Sequence, residues 1–231
     1  MQSLNGIAVV IGATGGIGDA LMQALAQDAA YDAVIGLSRS STPPLDLLSE
    51  TSISAAAAFI NAQGTPRLII DATGVLQSET IKPEKSWREL NAVQMAEAFA
   101  INAIGPALVM KHFLPLLPRE GGAVFATLSA RVGSIGDNRL GGWYSYRASK
   151  AALNQLVRTA AVELNRRAPK AICVALHPGT VDTGLSASFA KTGLDVQTPA
   201  QAAERLLKTI HQLTADDSGG FFDYKGETIV W

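Results

Sequence analysis

The sequence predicts an α/β fold: a doubly wound, mostly parallel sheet with helices on both faces. Short apolar runs rich in Val and Ile alternate with longer segments in which apolar residues recur every three or four positions. Strands that alternate with helices imply crossover connections, which cover both faces of a parallel sheet. No linker, repeat or low-complexity tract divides the 231 residues, so we predict one domain over 1–231.

The predicted elements follow in chain order. Five buried strands are predicted at 7–12 (IAVVIG), 33–37 (AVIGL), 67–72 (RLIIDA), 123–129 (AVFATLS) and 172–178 (ICVALHP). Helices are predicted for DALMQALAQ, SISAAAAFINA, the stretch from about Asn91 to Leu117, SYRASKAALNQLVRTAAVELNRR and the segment from about Pro199 to Leu213. A last strand is expected in ETIVW, at 227–231. Ligands of such sheets bind beyond the carboxyl ends of the strands, so function is expected there.

Composition argues against several classes of partner. The net charge of −1 offers no electrostatic attraction to nucleic acid or membrane surfaces. We see no signal peptide and no run of ~20 uninterrupted apolar residues, so no membrane span is expected. The single Cys173 cannot form an internal disulfide, and the three histidines lack metal-ligand spacing. We therefore expect a soluble cytoplasmic protein without a metal site.

A glycine-rich loop, GATGGIG at 12–18, joins the first strand to the first helix. Glycines let backbone N–H groups approach a pyrophosphate, and the helix N-terminus favours negative charge. The absence of a Gly-Lys-Ser/Thr ending disfavours a nucleotide-hydrolysing loop. A dinucleotide site is the functional interpretation, and a tight turn without a ligand is the structural one. The candidate cofactor contacts in this loop are Gly12, Thr14, Gly15, Gly16, Ile17 and Gly18.

The end of the second strand indicates which dinucleotide would bind. An acidic residue there would hydrogen-bond a ribose 2′-hydroxyl and repel a 2′-phosphate. The sequence has Ser38 and Arg39 instead, and a guanidinium suits a phosphate. We predict NADP(H) rather than NAD, although a solvated loop arginine is the alternative.

Tyr146 and Lys150 form the candidate proton-transfer pair. They are four residues apart and therefore share a helix face, whereas Tyr144 is expected before the helix begins. A nearby ammonium would lower the pKa of the phenol and make it a better acid near neutral pH. A second polar candidate is Asn102, whose backbone carbonyl loses its helical donor because Pro106 has no N–H. An ordered water is one partner for such a carbonyl, and a packing kink is the other interpretation.

These motifs together resemble the short-chain dehydrogenase/reductase family, over nearly the whole chain. The resemblance is carried by GATGGIG, DATG at 71–74, Asn102, Ser129, Tyr146-x-x-x-Lys150 and PGTVDT at 178–183. The loop SARVGSIGDNRLGGWYSYRASK and the ending GFFDYKGETIVW look most like the C-factor-like branch, related to small carbonyl reductases. The resemblance implies a Rossmann-type fold and a role for each matching residue.

In that family pattern, Tyr146 would donate a proton to a substrate carbonyl while Ser129 hydrogen-bonds the same oxygen. Lys150 would hold the nicotinamide ribose, and Asn102 would keep a relay water. The remaining implied cofactor contacts are Pro178, Gly179, Val181 and Thr183 on the nicotinamide side, Asp46 at the adenine, and Asp71, Ala72, Thr73 and Gly74 beside the adenine pocket.

The chain also departs from the family pattern. Ile11 stands where the glycine loop usually opens with Thr, and the usual N-N-A-G reads Asp-Ala-Thr-Gly at 71–74. The catalytic serine is commonly thirteen residues before the tyrosine, a position that here is Gly133. Ser129 and Ser134 therefore compete, and we favour Ser129 because it directly ends a predicted strand.

These observations predict an NADP(H)-dependent oxidoreductase that reduces a small or hydrophobic aldehyde or ketone to an alcohol, or catalyses the reverse. A C-factor-like, dinucleotide-binding signalling protein with incidental catalysis is the alternative. Residues 184–198 are expected to form a flap over the substrate. The resemblance also implies a homodimer or homotetramer, although the alanine-rich SKAALNQLVRTAA fits burial against the protein's own sheet equally well.

Overall fold

The computed structural model describes residues 6–183 and 196–231. Its strands are β1 (Ile7–Ile11), β2 (Ala33–Leu37), β3 (Pro66–Asp71), β4 (Ala123–Leu128), β5 (Ala171–His177), β6 (Thr180–Val181), β7 (Val196–Gln197) and β8 (Phe221–Asp223). Six of them form one parallel sheet in the order β2-β1-β3-β4-β5-β8, and β6 pairs with β7 in a separate parallel ladder. The predicted doubly wound topology is confirmed.

The helices between the strands are α1 (Gly16–Leu25), α2 (Glu50–Gln63), α3 (Ala92–Phe99), α4 (Gly105–Phe113), α5 (Tyr144–Arg167) and α6 (Pro199–Gln212). Alternate residues of each strand point to opposite faces of the sheet, and both faces are buried. Ile7, Val9 and Ile11 of β1 pack in the core that includes α2, α4 and α5. Ala8 and Val10 pack in the other core, with α1 and α6.

The helix predicted from about Asn91 to Leu117 is not continuous. A π-helical turn at Ala100–Ile104 separates α3 from α4, whose second residue is Pro106. The proline removes one helical hydrogen bond, and a wider turn is one way in which a helix accommodates that loss. The run Ala92–Leu116 has the length and, at a mean hydropathy of 1.4, the composition of a membrane span. It packs here against α2 and α5.

The prediction of a last strand at 227–231 is wrong. The sixth strand is β8, which pairs with β5 from Ala175↔Phe221 to His177↔Asp223. All three of its residues are buried, whereas in ETIVW only Ile229 is buried. The tail instead turns back along β8, with an isolated antiparallel bridge between Phe222 and Thr228. The other strand predictions agree with the structure to within a residue at each end.

Candidate active site

A cavity of about 620 Å³ lies at the carboxyl ends of β3, β4 and β5. Its wall includes eleven of the residues singled out from the sequence: Ile17, Ala72, Thr73, Gly74, Ser129, Tyr146, Lys150, Pro178, Gly179, Val181 and Thr183. They come from five separate segments of the chain. The parallel topology brings them together because every one of these segments follows, or packs against, the same edge of the sheet.

The glycine loop lies beside this cavity, and backbone conformation and close packing require glycine at two of its positions. Gly12 has a φ of 82°, in the region that favours glycine. A Cβ on Gly18 would lie 2.1 Å from the carbonyl oxygen of Gly12, so helix α1 can approach the loop only without a side chain there. Thr14, Gly15 and Gly16 are exposed at the N-terminus of α1. The loop therefore presents an open helix N-terminus, which favours an anion.

At the end of β2, Ser38 and Arg39 lie beyond the cavity wall. The Ser38 hydroxyl is within 3.0 Å of the Ser40 hydroxyl and accepts the Ser40 N–H. Arg39 is exposed, and within the described ranges it forms no ion pair. Asp46 also lies outside the cavity wall, where its Oδ1 accepts the N–H of Leu48. Of these side chains, the free guanidinium of Arg39 is the group best placed for a phosphate.

The segment after β3 contacts the helix that carries Tyr146 and Lys150. Gly74 has a φ of 155°, and a Cβ there would lie 3.2 Å from the Lys150 Nζ. Asp71 is fully buried; burial raises the pKa of its carboxyl, and hydrogen bonds from Thr73 and Thr127 lower it. The Asp71 side chain therefore connects the carboxyl ends of β3 and β4 by hydrogen bonds.

Asn102 lies behind the cavity wall and ties two segments together. Its Oδ1 accepts the N–H of Val75, and its Nδ2 donates to the Val75 carbonyl and to the Ser149 hydroxyl. Ser149 in turn donates to the Tyr146 carbonyl. The side chain of Asn102 thus connects the segment after β3 to α5. A relay water held by its backbone carbonyl stays a prediction.

The start of α5 is fixed by the buried carboxylate of Glu84, which the sequence patterns did not indicate. Glu84 accepts hydrogen bonds from the backbone N–H and the hydroxyl of Ser145, 61 positions away. Arg147 also donates to the carbonyls of Gly141, Gly142 and Val132, which holds the preceding loop against the helix. Negative charge at a helix N-terminus is stabilising, but only the folded chain brings Glu84 to this end.

The two tyrosines at the start of α5 differ in their place relative to the cavity, and the catalytic role of Tyr146 stays a prediction. Tyr146 lines the cavity, and its ring meets that of Trp143 edge-on at a centroid distance of 6.3 Å. Tyr144 is the first residue of α5 rather than a residue before it, and it is not among the described residues that line the cavity. One prediction is wrong here: burial raises the pKa of the Tyr146 phenol above its usual range.

The expected opposing effect of Lys150 on this pKa depends on where its ammonium points. The Lys150 ammonium, buried to 2% exposure, donates to the backbone carbonyl of Leu128 at 2.8 Å. Burial lowers the pKa of Lys150 to about 8, and the charge of Asp71 opposes that shift. The ammonium is therefore directed to the end of β4 rather than to the phenol. It nevertheless remains mostly protonated at neutral pH.

The geometry also separates the three candidate serine positions. A side chain at position 133 is excluded, because a Cβ on Gly133 would lie 2.8 Å from the Cβ of Lys150. Ser134 is buried, and its hydroxyl accepts the N–H of Asp137 in the loop. Ser129 lines the cavity beside Tyr146 and Lys150, and its hydroxyl donates to the Oδ1 of Asn154 at 2.6 Å.

The outer part of the cavity combines apolar side chains with one charged network. Its apolar wall includes Leu76, Val132, Leu140 and Trp143. Arg131 pairs with Asp137 at 3.4 Å and with Asp223 at 3.1 Å. Burial and the charge of Arg131 lower the pKa of His177 to about 4, so that imidazole is neutral at physiological pH.

Two further sequence expectations concern this region. Of the predicted flap at 184–198, residues 184–195 lie outside the described residues, and Val196–Gln197 form β7. In the ranges that the structure describes, no group of three or more His, Cys, Asp or Glu side chains could hold a metal ion.

Comparison with known proteins places the chain in a family. The family model described as short chain dehydrogenase matches residues 6–194. The C-signal of Myxococcus xanthus is 38% identical over 144 residues, which are 62% of this chain and 82% of that protein. The 1-hydroxy-2-glutathionyl-2-methyl-3-butene dehydrogenase of Rhodococcus sp. (strain AD45) is 33% identical over 190 residues, 82% of this chain and 79% of that one.

A similar solved structure is the NADPH-bound carbonyl reductase from chicken fatty liver. It has a TM-score of 0.85 and 27% identity, over 97% of this chain and 94% of that one. The fold, the ordered motifs and the family match agree. The chain belongs to the short-chain dehydrogenase family of oxidoreductases.

The buried cap of α5 gives a first test. Replacing Glu84 with Ala leaves the N–H and hydroxyl of Ser145 buried without their acceptor, which costs about 1–3 kcal/mol. We expect the free energy of unfolding in urea to fall by about that amount. The exposed Glu79 is the matched control, and Glu79→Ala should change stability by less than about 0.5 kcal/mol. Equal effects of the two substitutions would contradict the capping role.

The buried lysine gives a pH test. The folded protein releases the Lys150 proton near pH 8, whereas an unfolded chain keeps it to about 10.4. Between these values the unfolded state binds more protons, so this group makes the free energy of unfolding rise with pH. We expect wild type to gain stability relative to Lys150→Met from pH 8 to 10, measured by urea unfolding. In the control Lys170→Met, at an exposed position, the free energy of unfolding should follow wild type across this pH range. If Lys150→Met also followed wild type, the lowered pKa of Lys150 would be refuted.

Proposed function

We propose that this protein is an NADP(H)-dependent oxidoreductase that reduces an aldehyde or ketone to an alcohol, or catalyses the reverse reaction. The observation that carries the proposal is the shared cavity, which is lined by Ser129, Tyr146 and Lys150 and also by Ile17 of the glycine loop. A cytoplasmic location and action on a small molecule belong to the same proposal.

The chain's residues fit a phosphorylated dinucleotide. The exposed N-terminus of α1 at Gly15 and Gly16 suits a pyrophosphate, and the exposed Arg39, which forms no ion pair with any described residue, suits a ribose 2′-phosphate. Gly74 leaves room beside the Lys150 ammonium that a Cβ would occupy. The carbonyl reductase from chicken fatty liver, similar over 97% of this chain, binds NADPH and supports the same assignment.

In the reducing direction Tyr146 donates its phenolic proton to the substrate oxygen. Bound NADPH would supply the hydride that the substrate carbon receives. The phenolate left in a buried site is unfavourable by itself, as the raised pKa of Tyr146 indicates. The Lys150 ammonium hydrogen-bonds the Leu128 carbonyl and not the phenol, but it is charged at neutral pH and lies one helical turn away, so its positive charge stabilises that phenolate through space. Ser129 hydrogen-bonds the substrate oxygen, and protons reach the pair along a relay that includes Asn102.

The cavity favours an apolar carbonyl compound. Leu76, Val132, Leu140 and Trp143 surround its outer part, while the charged Arg131 is paired with Asp137 and Asp223. Burial of apolar surface then provides most of the binding free energy, and the few polar groups orient the carbonyl.

A second candidate is a C-factor-like signalling protein that binds a dinucleotide and catalyses only incidentally. The 38% identity to C-signal over 144 residues favours it. The two candidates differ in one observable: a signalling protein of this kind would bind NADPH without turning over any carbonyl.

The proposed acid gives a direct test. We expect wild type to oxidise NADPH in the presence of some members of a panel of aldehydes, ketones and diketones. Tyr146→Phe should lower kcat by about 10²–10⁴-fold, because the proton donor is lost. Tyr144→Phe is the matched control and should retain near wild-type kcat. Turnover that survives Tyr146→Phe would contradict the role of Tyr146; NADPH binding without any turnover would favour the signalling alternative.

The cofactor preference has its own test. Removal of the Arg39 guanidinium should weaken NADPH binding by about tenfold or more and leave NADH binding little changed, since a charge-assisted hydrogen bond contributes about 1.5–3 kcal/mol. Dissociation constants from fluorescence titration of Arg39→Ala and wild type would measure this. Arg166→Ala, an exposed arginine at the far end of α5, is the control. An unchanged ratio of the two affinities would refute the phosphate role.

A further inference from the structure

The hydroxyl proton of Ser129 is committed to a partner outside the cavity. A serine hydroxyl has one O–H to donate, and Ser129 donates it to the Oδ1 of Asn154. Both side chains are almost fully buried, at 3% and 2% exposure. The proposed function requires the same proton on a substrate carbonyl oxygen, which can only accept. The hydrogen bond to Asn154 and the one to a substrate therefore exclude each other.

Asn154 has an amide group that could resolve this conflict. It lies on α5, four residues after Lys150 and eight after Tyr146, on the helix face that carries both. Its Nδ2 is buried and has no hydrogen-bond partner among residues 6–183 and 196–231. A buried amide donor without a partner costs about 1–3 kcal/mol. An apolar side chain at this position would not carry that cost, so packing alone does not account for an asparagine.

A half-turn of the Asn154 amide exchanges its oxygen and nitrogen. Either orientation fits the same volume, because the two atoms are nearly equal in size. With the nitrogen towards Ser129, the unpartnered Nδ2 donates to the serine oxygen. The hydroxyl proton of Ser129 is then free to point into the cavity, where Tyr146 lies. One rotation thus pairs the unpartnered donor and releases the proton that the reaction needs, while the Asn154 oxygen takes the position that the nitrogen had.

We propose that Asn154 is a positioning residue that sets the direction of the Ser129 hydroxyl. When the amide oxygen of Asn154 faces Ser129, it accepts the serine proton. When the amide nitrogen faces Ser129, it donates to the serine oxygen, and the serine proton points to the substrate oxygen. This inference rests on the proposed carbonyl reduction. It assigns Asn154 no contact with the substrate, and its effect is transmitted through Ser129 alone.

The test is a double-mutant cycle with two substitutions at position 154. Asn154→Asp keeps the shape, but an ionised carboxylate can only accept, and it would hold the serine proton permanently. We expect kcat to fall about 10²-fold, to the level of Ser129→Ala, with KM little changed. Lowering the pH protonates the new carboxyl, which can then donate to Ser129, so kcat of Asn154→Asp should rise towards acid relative to wild type. Asn154→Ala frees the Ser129 hydroxyl without directing it, so we expect a smaller decrease in kcat, of about tenfold.

In the Ser129→Ala background, neither substitution at position 154 should lower kcat by more than a further factor of about two. If the buried aspartate prevents folding, the cycle with Asn154→Ala decides alone. Gln155→Ala, at the exposed neighbouring position, is the control and should behave as wild type. The inference would be overturned if the substitutions at position 154 lowered kcat equally with Ser129 present and in the Ser129→Ala variant, or if Ser129→Ala alone had wild-type kcat. Either result would be compatible with carbonyl reduction. A wild-type protein without carbonyl turnover would refute the proposed function and this inference with it.

Discussion

Burial of the Lys150 ammonium is the constraint on which the geometry of this site depends. A buried cation needs a hydrogen-bond acceptor and a nearby negative charge, which the Leu128 carbonyl and Asp71 supply. It also needs space, and two glycines provide it. A Cβ at Gly74 would approach the ammonium to 3.2 Å, and one at Gly133 would approach the Cβ of Lys150 to 2.8 Å. The ends of β3 and β4 are thus shaped around a single side chain.

The same constraint fixes the helix that carries the lysine. Because α5 lies directly against the loop at Gly133, its first turn must start at a defined place, and Glu84 and Arg147 anchor that turn from two sides. Tyr146 then faces the cavity one turn before Lys150. Asn102 links the segment after β3 to this first turn through Ser149. Two side chains outside the cavity wall, those of Glu84 and Asn102, therefore help to fix the helix whose residues line it.

Periodicity and local spacing were sufficient to predict the doubly wound sheet, the position of the glycine loop, and Tyr146 rather than Tyr144 as the tyrosine on the face of Lys150. These features depend on residues close together in sequence. Glu84 and Asn154 were missed because their partners lie 61 and 25 positions away. The direction of the Tyr146 pKa was wrong because helical spacing does not report burial or where the Lys150 ammonium points. The final strand was misplaced because FFD and ETIVW are both short and apolar, and pairing with β5 decides between them.

The proposed reaction delivers a hydride from NADPH, bound at the carboxyl edge of this sheet, to a carbonyl carbon. Reduction of an aldehyde and ketone panel with NADPH deuterated at the transferred position, followed by mass spectrometry of the alcohols, tests it most directly. We expect one deuterium on the carbinol carbon of each product formed by the wild-type protein. A protein that binds this cofactor but delivers no deuterium to any member of the panel would contradict it.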